Sequence, residues 1–178
     1  MYSLKPLLPG QTVVVQGTGG VSIFALQIAH AAGANVIATS SSDKKLKTAA
    51  TLGADFTINY TKTPKWSQVV REVTQDRGAD HIIDVGGSST IAESFNAIRF
   101  GGIINQIGAL PPKCEFEKID VSVRAIQTQG ILRGILVGGR DVLEDLMRGI
   151  SKSKWHPVVD RVFAFEDALE AFDYLKVR

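Results

Sequence analysis

Ten residues constrain the fold of this chain more than any others: Val13-Val14-Val15-Gln16-Gly17-Thr18-Gly19-Gly20-Val21-Ser22, an apolar run that stops at a glycine cluster and turns at once into helical spacing. Three adjacent β-branched residues suit a strand covered on both faces. Gly17 and Gly19 hold the first two places of G-x-G-x-x-G, and Ser22 stands in the third, so the pattern is met in relaxed form. Gly17 permits the tight strand-to-helix turn. Gly19, lacking Cβ, lets the backbone approach a pyrophosphate at the N-terminus of the next helix.

The flanking sequence supports that reading. Val21, Ala25, Ile28 and Ala32 recur at helical spacing, small enough to lie close on a sheet. Gly33 stops the helix, and Ala34 to Thr39 reads as a second buried strand. The βαβ unit closes within the length that a dinucleotide fingerprint requires.

Downstream, the same alternation repeats. Ser40-Ser41-Ser42-Asp43 is a helix-start signal, the helix running from Lys44 to Leu52 and stopping at Gly53. Asp55 to Tyr60 is a third strand, and Trp66 to Gln75 a helix with Trp66, Val69, Val70 and Val73 on its apolar face. His81 to Val85 is a fourth strand. Ser88 or Ser89 caps a helix that buries Ile91, Phe95 and Ile98 and ends at Gly101-Gly102. Ile103 to Ile107 is the fifth strand, and Gln127 to Val137 supplies a sixth. Helices follow from Asp141 to Ile150 and from Glu166 to Leu175, with an extended stretch from Trp155 to Phe163 between them. The expected fold class is α/β, a doubly wound parallel sheet (Rossmann fold) of six strands with helices on both faces, forming one domain over residues 1–178.

Composition removes several function classes. A formal net charge of +2 is too small to recruit nucleic acid or a membrane surface. No apolar run approaches the roughly 18 residues of a membrane span, and no signal peptide is visible, so a cytoplasmic location is the expectation. Cys114 is the single cysteine, and His30, His81 and His156 are scattered, so no metal site is expected. The histidines read as surface or satisfied polar groups.

The cofactor type follows from the end of the second strand. A carboxylate there would bind an adenosine ribose 2′-hydroxyl, but Ser40 occupies the place. Ser40, Ser41, Lys44 and Lys45 offer hydroxyls and positive charge to a 2′-phosphate, which favours NADP(H) over NAD(H). The lysines fall in the first turn of a helix, where the macrodipole disfavours cations and a bound phosphate would remove the conflict. Tyr60, ending the third strand, can lie over the adenine end. Ser40 also argues against a methyltransferase, which needs an acidic residue at that strand end.

Several stretches, in order, resemble the medium-chain dehydrogenase/reductase superfamily. They are Gly17 to Ser22, Val36 to Lys44, Leu52-Gly53-Ala54-Asp55 with Ile58-Asn59-Tyr60, Gly78-Ala79-Asp80 with Asp84-Val85-Gly86-Gly87, and Val158 to Phe163 followed by Phe165 to Ala168 and Ala171-Phe172. Within it the chain is most similar to the zinc-type alcohol dehydrogenase-like and quinone oxidoreductase-like branches. The resemblance implies an oxidoreductase that moves hydride between NADPH and a carbonyl, an alcohol or an activated double bond of a small-molecule substrate. It also implies that the N-terminal GroES-like catalytic domain of such enzymes, which carries any zinc ligands, lies outside this chain.

Carried over residue by residue, Gly17, Gly19, Gly20 and Val21 hold the pyrophosphate turn. Ser40, Ser41, Lys45 and Tyr60 surround the adenosine phosphate. Val85 and Gly86, then Ile107, Gly108 and Ala109, line the carboxyl ends of the fourth and fifth strands, and Val137, Gly138 and Arg140 match the region near the nicotinamide. No catalytic acid, base or nucleophile is expected: Asp84 and Asp160 read as capping or salt-bridge residues, and the isolated chain is expected to be inactive. The family further implies a homodimer through the sixth-strand edge, Gly130 to Val137. The alternative is a non-catalytic module that binds NADP(H) or dimerises.

Overall fold

The structure, a computed structural model, describes residues 5–109, 118–153 and 155–176. Its strands are β1 (Thr12–Gln16), β2 (Asn35–Ser40), β3 (Phe56–Asn59), β4 (Ala79–Asp84), β5 (Ile98–Gln106) and β6 (Ile131–Gly134). The helices are α1 (Gly20–Ala31), α2 (Asp43–Thr51), α3 (Trp66–Val73), α4 (Ile91–Ala97), α5 (Val121–Thr128), α6 (Arg140–Ser153) and α7 (Ala168–Lys176). The strands form one sheet in the order β3-β2-β1-β4-β5-β6, with every neighbouring pair parallel. This is the Rossmann-like α/β architecture expected.

Strand alternation divides the core into two layers. Val13, Val15, Val36, Ala38 and Ile83 pack with Ala25, Leu26 and Ala29 of α1 and Ala49 of α2. Val14, Ile37, Ile58, Ile82 and Ile104 point the other way, against Trp66 and Val70 of α3 and Phe95 of α4. Most of these side chains are fully removed from water, and each large one contributes about 1.5–3 kcal/mol. No residue of α6 or α7 is buried.

The structure corrects four sequence expectations. The sixth strand is not Gln127 to Val137. Asp120 accepts the amides of Ser122 and Val123 and starts α5, and the left-handed Gln129 ends it, which leaves only Ile131–Gly134 to pair with β5. Capping thus overrides β-branched propensity at a strand that, among the described residues, is paired on one edge alone. Gly101-Gly102 does not end a helix either: α4 stops at Ala97, and Gly101, at φ 64, sits in an irregularity of β5 where the register against β4 shifts.

Ser88 and Ser89 do not cap α4. They lie in a short 3-10 turn (Gly87–Ser89), and Thr90 precedes the helix with its hydroxyl bound to Asp84 Oδ1 at 2.8 Å. His81 is neither exposed nor satisfied: strand parity turns it toward the interior with both ring nitrogens unpartnered. Burial holds its pKa below the ordinary value, so the ring stays neutral. Cys114 lies outside the described residues.

Candidate functional site

Parallel register brings the strand ends to one edge of the sheet. Gln16 lies opposite Thr39, Ser40 opposite Asn59, Asp84 opposite Gln106, and Gln106 opposite Gly134. Strand order reverses between β1 and β4, and in open α/β sheets the ligand crevice forms outside the strand ends at that point.

Immediately after β1, Gly17 takes φ 76, in the left-handed region open to glycine, and turns the chain into α1. A β-carbon on Gly17, Gly19 or Gly20 would meet no atom within 4 Å, so open space faces all three. Gly19 is the N-cap of α1 and offers no side-chain cap, which leaves the amides of Gly20, Val21 and Ser22 without a helical acceptor. Ser22, in the third fingerprint place, is buried and donates from Oγ to the Gln16 carbonyl at 2.6 Å, tying α1 to β1. The residues present fit a pyrophosphate: exposed amides, a positive helix end and a turn free of side chains.

Across the switch point, the ends of β4 and β5 are joined by close backbone approach. Gly87, at φ 64, lies against Ala109, where a β-carbon would come within 2.9 Å of the Ala109 Cα. Gly108 lies against Val85 in the same way, and the Ile107 amide donates to the Asp84 carbonyl at 2.8 Å. Val85, Gly86, Ile107, Gly108 and Ala109 thus lie together at the ends of β4 and β5.

At the β2 and β3 ends the picture is more selective. Ser40 is only 3% exposed, and its Oγ accepts the Ser42 amide at 3.4 Å, so it faces the protein. Ser41, Lys44 and Lys45 are exposed, and Tyr60 is 42% exposed. Ser42 caps α2 through the Lys45 amide. Asp43 does not pair with Lys44 or Lys45. It accepts from Asn59 Nδ2 and Lys62 Nζ, each at 2.6 Å, and the Asn59 hydrogen bond, followed by Lys62, lowers its pKa. Lys62 was not singled out from sequence, since only the pairing of β2 with β3 brings it to Asp43.

Val137, Gly138 and Arg140, matched by resemblance to the region near the nicotinamide, lie past the carboxyl end of β6. They follow β6, two strands from β4, with Val137 exposed and Arg140 held by Glu144 at 2.8 Å. Asp84 is a capping residue, its Oδ1 accepting the amides of Gly86 and Gly87 at 3.1 and 2.9 Å. Asp160 accepts from the Tyr174 hydroxyl at 2.7 Å. A tight ionic cluster sits at the opposite end of β4. Burial would raise the Asp80 pKa, but hydrogen bonds from Arg77, the Thr12 amide and Arg99 outweigh it and hold the carboxyl at about 2. Among the described residues no three His, Cys, Asp or Glu side chains are grouped so that they could hold a metal ion, and no helix is long and apolar enough to cross a membrane.

Residues 20–152 match the family model described as zinc-binding dehydrogenase. A zinc-type alcohol dehydrogenase-like protein of Schizosaccharomyces pombe is 43% identical over 167 residues, covering 93% of this chain and 48% of the relative. A 2-haloacrylate reductase of Burkholderia is 30% identical over 177 residues, covering 99% of this chain and 47% of the relative. Among solved structures, an NAD-dependent alcohol dehydrogenase superimposes with a TM-score of 0.82 at 34% identity, over 96% of this chain and 49% of that one. The chain spans about half the length of the curated relatives it matches.

Proposed function

Because the chain belongs to the zinc-binding dehydrogenase family, we propose that it is the nicotinamide-dinucleotide half of an oxidoreductase, and that it prefers NADP(H). The observation that carries the reading is the open glycine turn at the uncapped start of α1, placed where the strand order reverses. Gly17, Gly19, Gly20 and Val21 would hold the pyrophosphate through backbone amides. Val85, Gly86, Ile107, Gly108 and Ala109 would wall the crevice at the strand ends. The bound cofactor supplies the hydride, and this chain binds and orients it.

The NADP(H) preference rests on charge. No carboxylate stands at the end of β2, and the one nearby, Asp43, is bound by Lys62 and Asn59. Lys44 and Lys45 remain exposed at the start of α2 beside Ser41. The NAD dependence of one similar structure belongs to that protein.

Among the described residues, no group is arranged to polarise a substrate oxygen, so turnover in this proposal needs the remainder of a longer protein. The substrate class is a carbonyl, an alcohol or an activated double bond, in keeping with relatives that are alcohol dehydrogenase-like and a 2-haloacrylate reductase. Calorimetric titration with NADPH, NADH and S-adenosylmethionine tests the assignment. Binding of S-adenosylmethionine alone would overturn it, and steady-state NADPH oxidation by the chain with aldehydes, ketones or quinones would overturn the need for a second part.

A further inference from the structure

Hydrogen bonding between β1 and β4 pairs Val13, Val14 and Val15 with His81, Ile82 and Ile83 and goes no further. At the next position side chains take over. Gln16 Nε2 donates to Asp84 Oδ2 at 3.1 Å and to Ser94 Oγ at 2.8 Å, and Ser94 Oγ donates to the same Asp84 oxygen at 2.7 Å. Gln16 Oε1 accepts the Val85 amide at 3.3 Å. All three side chains are buried, and the carboxylate of Asp84 is fully shielded from water. Its other oxygen holds Gly86, Gly87 and Thr90.

Gln16 immediately precedes Gly17, and Asp84 immediately precedes the turn that walls the crevice. The two walls are therefore joined, at the switch point, by a side-chain triad rather than by the sheet ladder. We propose that Gln16, Asp84 and Ser94 act as positioning residues that set the separation of the β1 and β4 ends, and through it the affinity of the dinucleotide crevice. The proposal rests on reading that crevice as the dinucleotide site. A buried carboxylate that accepts from uncharged donors alone suits this task, because each bond is directional and an unmet donor in a dry site is costly.

The geometry also allows a polarity exchange. With Asp84→Asn alone, the new amide faces the Gln16 amide, donor against donor. With Gln16→Glu alone, two carboxylates face each other. In the double variant the new amide at 84 donates to the new carboxylate at 16 and to Ser94 Oγ, and the Ser94 hydroxyl donates to that carboxylate, so the three bonds among these side chains reverse while the bond from the Val85 amide keeps its sense.

The test is a double-mutant cycle on the 178-residue chain, reading NADPH and NADH affinity by calorimetry and exchange of the Gly86 and Gly87 amides by NMR. Each single variant is expected to lose about tenfold in affinity and to exchange those amides faster, while the double variant returns to within about threefold of the unaltered chain. Single variants with unaltered affinity and exchange would overturn the proposal. So would a double variant that does not fold, or that folds and does not regain both readouts. If a single variant does not fold, recovery of both readouts in the double variant still supports it. If the unaltered chain binds neither dinucleotide, the functional reading fails, and amide exchange alone then decides whether the triad sets the strand ends.

Discussion

Gly108 lies so close against Val85 that a β-carbon on it would sit 2.7 Å from the Val85 carbonyl carbon and 3.0 Å from its Cα. Gly19, also beside the crevice, is extended at φ −76 and would meet nothing. Gly108→Ala is expected to cost more than about 2 kcal/mol, since backbone must move apart at the β4 and β5 ends. Gly19→Ala is expected to leave stability within about 0.5 kcal/mol while sharply weakening dinucleotide binding. Urea melts and calorimetry on both variants check this. A Gly19→Ala chain that binds as well as the unaltered one would remove the pyrophosphate turn from the site.

His81 is buried and neutral, with a folded pKa held below its ordinary value of 6.5 by desolvation. The unfolded chain therefore binds a proton at a pH where the folded one does not. Stability conferred by the neutral ring is present above 6.5 and falls as pH drops below it, by at most about 1.4 kcal/mol per pH unit. His81→Leu should flatten the stability profile between pH 7 and pH 5, roughly the window in which an ordinary histidine gains its proton. An unchanged slope in that variant, by denaturant melts across the range, would assign the dependence elsewhere. Asp80, held at about 2, adds its own loss only in stronger acid, below its unfolded value of 3.8.

NADPH is expected to bind at least about tenfold more tightly than NADH, with Lys45→Ala removing most of the difference, because a charged phosphate contact contributes roughly 1.5–3 kcal/mol. Increasing salt should narrow the preference, since Lys45 is exposed. Equal affinities for the two cofactors would contradict this assignment.

Among the described residues, strand β6 ends the sheet with one edge unpaired, and Leu136 and Val137 beyond it are 91% and 84% exposed. We propose that two copies pair there about a two-fold axis, which closes the edge without extending a fibre. Light scattering at micromolar concentration should show a dimer, and Ile135→Lys should give a monomer or an insoluble chain. A monomer for the unaltered chain would rule the pairing out.

Much of this organisation is legible one residue at a time. Val13 to Val15, the glycines after them and the stop at Gly33 specify strand, turn and helix through local propensity, and these signals repeat until the parallel sheet follows from connectivity rules alone. Family membership is legible for the same reason, because the resemblance rests on short motifs in chain order and the family match confirmed it. The length of β6 was not legible: Ile131, Leu132 and Ile135 have strand propensity, but whether they pair depends on how far β5 runs beside them and on Asp120 starting a helix upstream.

The finer features of the site were decided by tertiary structure. Ser40 carries a hydroxyl that in sequence looks available to a ligand, and the chain reversal into α2 turns it inward to the Ser42 amide. Asp43 directly precedes Lys44 and Lys45 in the chain, yet its partners, Asn59 and Lys62, come from the end of β3 and the turn after it. Gln16 and Asp84 are 68 positions apart, and nothing local marks them as a pair. Local sequence determines which backbone conformations are cheap, and thus the order and kind of the elements. Which side chains share a dry space depends on strand register and packing, and only there do burial and hydrogen bonding become strong enough to give Gln16, Asp84 and His81 their roles.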